Sequence, residues 1–225
     1  MQRLISKGLK CIQQNRYFVF KQTNGGTVKT ELKPMRLMSD RTLADWRGRD
    51  SIGDLRCQNW NILRSQGGDC VNVPIDRFAA GENVDAEIMT FLFGLVEGYT
   101  LHGAVSARIH FGTKEARLIR LLEAPWNLGL NPEAAEHKGL AVNGVSWTLM
   151  GALACYVYCI DPAMEISLVI YDAGKLPFYK DVVGAEFEPG IPLVKNMPHP
   201  GRLYGERMES FLNRFLDGEQ ANIPG

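Results

Sequence analysis

A chain of 225 residues in which 45% of the side chains are apolar and 22% charged has the material for one large globular core, which excludes a disordered or fibrous polymer. Its 25 basic residues cancel its 25 acidic ones, so no overall field draws it to nucleic acid or to anionic lipid, and any basic site has to be local. No apolar run approaches the roughly 20 residues that cross a bilayer, so neither a membrane nor a nucleic acid is the expected partner.

The chain opens on an amphipathic helix over 1–12. Leu4, Ile5, Leu9 and Ile12 recur between Lys and Gln at helical spacing, unlike the continuous apolar stretch of a secretion signal. Residues 16–23 are aromatic and β-branched, Asn24-Gly25-Gly26 supplies turn chemistry, and 27–37 continue as the second arm of a hairpin. Ser39 or Asp40 caps a helix through Leu43 and Trp46, a second helix runs from Ile52 to Leu63, and 67–85 read as loop. The arginines 41, 47, 49, 56 and 64 read as a solvated helix face. Five cysteines (Cys11, Cys57, Cys70, Cys155, Cys159) lie scattered without a CxxC pair, against both a disulfide framework and a zinc site. Cys155 and Cys159 are four apart and are expected to share a helical face as small buried hydrophobes, in a reducing cytoplasm.

From residue 86 the pattern is regular. Strands are predicted over 88–96, 99–111 and 116–124, with turns at Glu97-Gly98 and Gly112-Thr113-Lys114, and Pro125 ends the third. A polar loop over 126–139 leads into an apolar helix over 140–160, broken by Asp161-Pro162. A strand over 165–172, a short helix over 175–184, a loop over 188–201, a short strand at Arg202-Leu203-Tyr204-Gly205 and a closing amphipathic helix over 206–216 complete the order. The arrangement is α+β, with one crossover helix after the third of these strands. The division expected is an N-terminal extension with the first strands and helices over 1–85, packed on the core, then a core over 86–217 and a flexible tail over 218–225.

The junction before the crossover helix reads Glu136-His137-Lys138-Gly139-Leu140-Ala141-Val142-Asn143-Gly144. Glycine at a helix start lets backbone N–H groups approach an anion, and the helix dipole adds roughly half a positive charge there. Over about 86–217 the sequence resembles the GNAT superfamily of acetyl-CoA-dependent N-acetyltransferases, as a divergent branch. Glu136-x-x-Gly139-x-Ala141 stands where that family has Gln/Arg-x-x-Gly-x-Gly/Ala. Asp172-x-x-Lys175-x-x-x-Tyr179 followed by Gly184-Ala185-Glu186-Phe187 stands near its later Asn-x-x-Ala-x-x-x-Tyr signature. Glu136 replaces Gln or Arg, with His137 and Lys138 beside it to offset the charge, Asp172 replaces Asn, and one extra residue separates Tyr179 from Gly184.

The resemblance implies a mostly antiparallel central sheet flanked by helices, with a crossover helix after the strand that binds acyl-CoA. It implies acetyl-CoA as cosubstrate, held by Lys138, Gly139, Leu140, Ala141, Asn143 and Gly144, with Asp172 and Lys175 beyond. Acyl transfer to an amine needs a base, a polarised thioester carbonyl and a stabilised thiolate. Glu123, at the end of an apolar strand, is the base candidate, directly or through a water; the alternative is a surface carboxylate paired with Arg117 or Arg120. Tyr179 is the acid candidate, or else an aromatic packing on the crossover helix. The thioester oxygen is expected to meet a backbone N–H near Ala124 or Trp126, and Asn127 either orients substrate or caps the loop. The four histidines show no metal-ligand spacing, so no metal is expected.

The reaction these residues imply is acetyl transfer to a small-molecule or peptide primary amine, with a homodimer open. A catalytically degenerate binding protein on the same scaffold, or a toxin or effector acetyltransferase, remain the other readings.

Overall fold

A computed structural model describes residues 2–14, 17–23, 26–34, 88–98, 100–124, 127, 142–191 and 197–218. The helices and loop expected over 39–85, most of the 126–139 loop and the tail beyond 218 lie outside these residues. In chain order the elements are α1 (Gln2–Gln14), β1 (Tyr17–Thr23), β2 (Gly26–Pro34), β3 (Ile88–Glu97), β4 (Thr100–His110), β5 (Glu115–Glu123), β6 (Val142–Asn143), α2 (Val145–Ile160) and β7 (Glu165–Ile170). A 3-10 turn (Ala173–Lys175) and a π-helical turn (Phe178–Val183) lead to β8 (Glu186–Phe187), β9 (His199–Leu203) and α3 (Gly205–Leu216).

The described strands join one sheet in the order β6-β1-β2-β3-β4-β5-β7-β9-β8. Each pairing is antiparallel except β5 with β7, which run parallel. A parallel pair cannot be closed by a hairpin, so α2 makes the crossover between them. The pairing covers only Glu115–Arg117 against Glu165–Ser167. Beyond it β5 stays paired with β4 as far as Glu123, and β7 stays paired with β9 as far as Ile170. The two parallel strands therefore part after one end of each has met.

The core gathers around α2. Every residue from Trp147 to Tyr158 is buried, as expected of a helix that is apolar on all sides. Glycines on two neighbouring elements and on α2 itself make the close approaches. A Cβ at Gly8 of α1 would lie 2.9 Å from Cys159 Sγ; one at Gly103 of β4 would lie 2.6 Å from Val145 Cγ1. On α2, a Cβ at Gly151 would run into the Phe215 ring. Trp147 meets Phe211 edge-on at 4.8 Å between centroids, and the Arg214 guanidinium lies 5.6 Å over the Trp147 ring. α1 and α3 thus share α2 as their packing surface, through Leu4, Met208, Phe211 and Leu212.

Three expectations are corrected. The crossover helix begins at Val145 and not at Leu140: Val142 and Asn143 are extended and pair with Lys21 and Phe20 of β1, and Gly144 at φ 86° turns the chain into the helix. A left-handed residue cannot lie inside a right-handed helix, which sets the boundary. The short helix over 175–184 is a 3-10 turn followed by a π-helical turn closed by Gly184 at φ 87°, where Ala185 N–H donates to the Tyr179 carbonyl at 2.8 Å. The stretch 188–201, expected as loop, supplies the first residues of β9.

Two outcomes are expected. Gly151→Ala forces the Phe215 ring off the Phe211 ring on which it stacks at 6.5 Å, and should cost ~1–3 kcal/mol through overpacking, read as a lower urea midpoint at unchanged slope. Burial raises the phenols of Tyr17, Tyr156 and Tyr179 above their usual value. The folded state then keeps protons that the unfolded chain releases. The associated stability is present below about pH 10 and is lost as pH rises beyond it, by up to about 1.4 kcal/mol per pH unit for each tyrosine. Urea titrations between neutral and strongly alkaline pH measure the slope.

Candidate functional site

The opening between β5 and β7 is where sequence-predicted residues meet. β5 delivers Glu123 at its last position, opposite Gly103 of β4. The strand itself is irregular: Ser106 faces Arg120 while Ala107 faces Leu118, so Ile119 has no opposite residue. Such a bulge bends a strand and re-aims the side chains beyond it. The Ile119 carbonyl accepts from Arg120 Nη1 at 2.8 Å.

Glu123 Oε1 accepts from the Ser146 backbone N–H at 2.9 Å and also from the Ser146 hydroxyl. A carboxylate is thereby placed on the first turn of α2, where unpaired N–H groups and the helix dipole favour negative charge. Gly144 gives that helix no side-chain cap, and Glu123 fills the role from another element. Of the two arginines offered as alternative partners for this carboxylate, Arg117 places its Nη2 3.4 Å from Glu115.

Tyr179 comes to the same place from the π-helical turn after β7. It is buried, its ring stands edge-on to Phe178 at 5.0 Å, and burial raises the phenol first, with the Glu123 charge raising it further. The phenol therefore stays protonated across the neutral range beside a carboxylate. Single-turn π-helical stretches concentrate at functional sites, because the extra residue per turn re-aims a side chain.

Other candidates fall elsewhere. The Ala124 N–H, expected to face a carbonyl oxygen, donates to the His102 carbonyl at 2.9 Å; Ala124 is buried in the fold. Asn127 acts as a tie: its Nδ2 donates to the same His102 carbonyl at 2.8 Å, and its Oδ1 accepts from Val142 N–H at 3.1 Å. It links the end of β5, the β4 backbone and the entry to α2. Asn143 is exposed in β6, and Gly144 is the turn into α2. Asp172 is exposed, and its Oδ1 accepts from Gly174 N–H at 2.9 Å, which starts the 3-10 turn that ends in exposed Lys175. Trp126, Lys138, Gly139, Leu140 and Ala141 lie outside the described residues. Among the described residues no group of His, Cys, Asp and Glu has the placement to hold a metal ion, and no helix is long and apolar enough to cross a membrane.

The sequence reading missed Ser146, the bulge at Ile119 and the β6–β1 pairing. For the last a signal existed: Asn143-Gly144 is a turn dipeptide inside the stretch read as continuous helix. Ser146 carries none, since its partner is 23 residues away.

No family model matches the chain, and no curated protein matches it. Among solved structures it is similar to a tandem GNAT protein from the clavulanic acid biosynthesis pathway, at 17% identity and a TM-score of 0.41 over 71% of this chain and 45% of that one. It is also similar to the PaiA N-acetyltransferase of Thermoplasma acidophilum in complex with coenzyme A, at 14% identity and a TM-score of 0.40 over 77% and 98% of the two chains. A Vibrio cholerae spermidine N-acetyltransferase chimera gives 15% identity and a TM-score of 0.41 over 82% and 100%. The chain spans less than half of the tandem protein's length. Overlaps of this size carry no argument about chemistry, which has to come from the strand geometry itself.

Glu123→Ala removes the acceptor from the first turn of α2 and should lower stability by ~0.5–2 kcal/mol, the usual worth of a helix cap. Glu123→Gln keeps an oxygen for Ser146 and should retain most of it. Paired urea titrations separate the capping contribution from any effect of charge.

Proposed function

We propose that this chain is a GNAT-type acyltransferase that moves an acetyl group from acetyl-CoA to a primary amine. The observation that carries the reading is the parting of parallel β5 and β7 beside Glu123 and Tyr179. Beyond Arg117 and Ser167 the strands no longer pair with one another, so each turns backbone groups toward the gap. An extended arm with amide groups, such as that of CoA, finds there the hydrogen-bonding edges a missing strand would have used. It then brings its thioester to the end of β5.

In this reading Glu123 takes the proton of the incoming ammonium, directly or through a water, and the neutral amine attacks the thioester carbon. The C–S bond then breaks, and the Tyr179 hydroxyl gives its proton to the departing sulfur. Burial suits Tyr179 to this task in one respect: it keeps the proton on the phenol until a thiolate forms beside it. The carbonyl oxygen needs a donor other than Ala124 N–H, and the bulge at Ile119 is the irregular backbone nearest in sequence on the same strand. The CoA pyrophosphate is assigned to the Gly139–Ala141 loop, with Lys138 as its cation. The acceptor is a small-molecule or peptide amine, and the setting a cytoplasm with acetyl-CoA.

One observation favours a second reading, a GNAT-like scaffold kept as a binding module. The Ser146 N–H at the head of α2 is held by the chain's own Glu123 carboxylate, so that donor is not open to a phosphate.

Two measurements decide. Acetyl-CoA at 100 times its dissociation constant should stabilise the fold by roughly 2.7 kcal/mol; no heat on titration and no thermal shift at millimolar ligand would leave the binding module. Tyr179→Phe keeps the packing ring and removes one proton, so turnover with a panel of amines should fall roughly 10²- to 10⁴-fold with acetyl-CoA affinity nearly unchanged. Full activity in the Phe variant would remove Tyr179 from the mechanism.

A further inference from the structure

The bulge at Ile119 divides β5 between the two faces of the sheet. Before it, Ala116 and Leu118 join the core around α2; after it, Leu121 joins the core and Glu123 reaches Ser146. Residues 120 and 122 therefore point to the opposite face. Without the extra residue the alternation would carry Arg120 into the core behind Leu118. One irregular step of backbone thus sends the Glu123 carboxylate toward α2 and the Arg120 guanidinium away from it.

On that second face Arg120 is half-buried and stands opposite Ser106 of β4, with its Nη1 donating to the Ile119 carbonyl at 2.8 Å. Ser106 is 3% exposed, and its hydroxyl oxygen is buried without a hydrogen-bond partner. A buried hydroxyl left so costs free energy, and it is accounted for when a bound water, ion or ligand group meets it. Arg108 and Arg117 share this face. Among the described residues of β4 and β5 the one carboxylate there is Glu115, which Arg117 and the Ser167 hydroxyl already hold. Across the opening, Val169 and Tyr171 follow Ser167 on the same face of β7, 46% and 60% exposed.

We propose that this face of the opening receives the acceptor, and that the acceptor is a primary amine carrying a carboxylate, held by Arg120 and Ser106. The proposal rests on the acyl-transfer reading, in which acetyl-CoA is assigned to the loop leading into α2 and leaves the other face for the amine. The carboxylate accepts from the Arg120 guanidinium and from the Ser106 hydroxyl, and a charge-assisted contact of this kind is among the stronger ones a protein makes. The body of the acceptor lies along Leu122, Val169 and Tyr171, and its amine passes between the parted strands to Glu123. Residues 120 and 123 are roughly 10 Å apart along an extended strand, so amine and carboxylate belong at opposite ends of the acceptor. A polyamine, cationic at both ends, meets arginines here and is disfavoured.

The test compares 6-aminohexanoate with its carboxamide and with 1,6-diaminohexane, which match it in length and differ in the charge at one end. With acetyl-CoA the carboxylate should have the highest kcat/KM, roughly tenfold or more above the amide, and the diamine the lowest. Arg120→Gln should remove that advantage by raising KM for the carboxylate and leaving KM for the amide in place, and Arg120→Lys should restore part of it. Ser106→Ala should raise KM for the carboxylate and leave the urea midpoint unchanged or higher, since it removes a hydroxyl that the free protein leaves unpaired. A hydroxyl kept for the fold would instead lower the midpoint and leave KM alone. Titration of millimolar 6-aminohexanoate without any acyl-CoA should give a heat that Arg120→Gln abolishes. That heat in a chain that fails to bind acetyl-CoA would fault the transferase reading and keep the carboxylate site. The matched amines test the unaltered chain, so the comparison decides even if Arg120→Gln does not fold. No heat with the unaltered chain, an amide or diamine equal to the carboxylate, or an unchanged KM in Arg120→Gln would each overturn the proposal.

Discussion

Burial of α2 on every side is the constraint the rest of the structure answers to. A helix with no polar face has to be covered by the sheet on one side and by α1 and α3 on the others, and each cover comes within reach because a glycine removes a Cβ. Gly103 seats the helix on β4, Gly8 seats α1, and Gly151 admits the Phe215 ring of α3. The apolar area withdrawn from water in this way is the main favourable contribution to folding. It also fixes α2 as the crossover of the parallel pair, and with it the place where β5 and β7 separate.

The candidate site is a by-product of that arrangement. The end of β5, the first turn of α2 and the turn after β7 converge because α2 must travel from one parallel strand to the other. Glu123 serves two ends at once: it satisfies donors at the head of a helix that has no cap of its own, and its charge lies beside a buried phenol. A carboxylate so held is oriented, which is what a proton acceptor requires, and it is also engaged, which a proton acceptor has to escape. Asn127 keeps this geometry in place by tying the β4 backbone to the entry of α2 with one side chain.

Much of the fold was legible because the signals are local. The periodicity of Leu4, Ile5, Leu9 and Ile12 marked α1, the turn chemistry of Asn24-Gly25-Gly26 marked the β1–β2 hairpin, and Gly98 and Gly112 bounded β4. The apolar run through Leu149 and Tyr158 marked the crossover helix. Glu123 was proposed from its place at the end of an apolar strand and Tyr179 from the resemblance of its surrounding motif; the structure sets the Glu123 charge beside the Tyr179 phenol. What failed was the boundary at 140–145, where the apolar residues continue across a left-handed glycine, and the assignment of Ala124 N–H, whose partner on β4 lies 22 residues earlier in the chain.

The sequence by itself determined the balance of charge and, for most of the described elements, whether a segment is helix or strand. Only the tertiary structure decided that β5 and β7 pair at one end and then part, that Ser146 holds Glu123, and that Gly8 of α1 lies against Cys159 of α2. The physical reason is range. Periodicity and turn chemistry act over a few residues, whereas a strand splay, a cap lent by another element and a helix–helix register are set when distant surfaces pack, and no short window of sequence contains both partners.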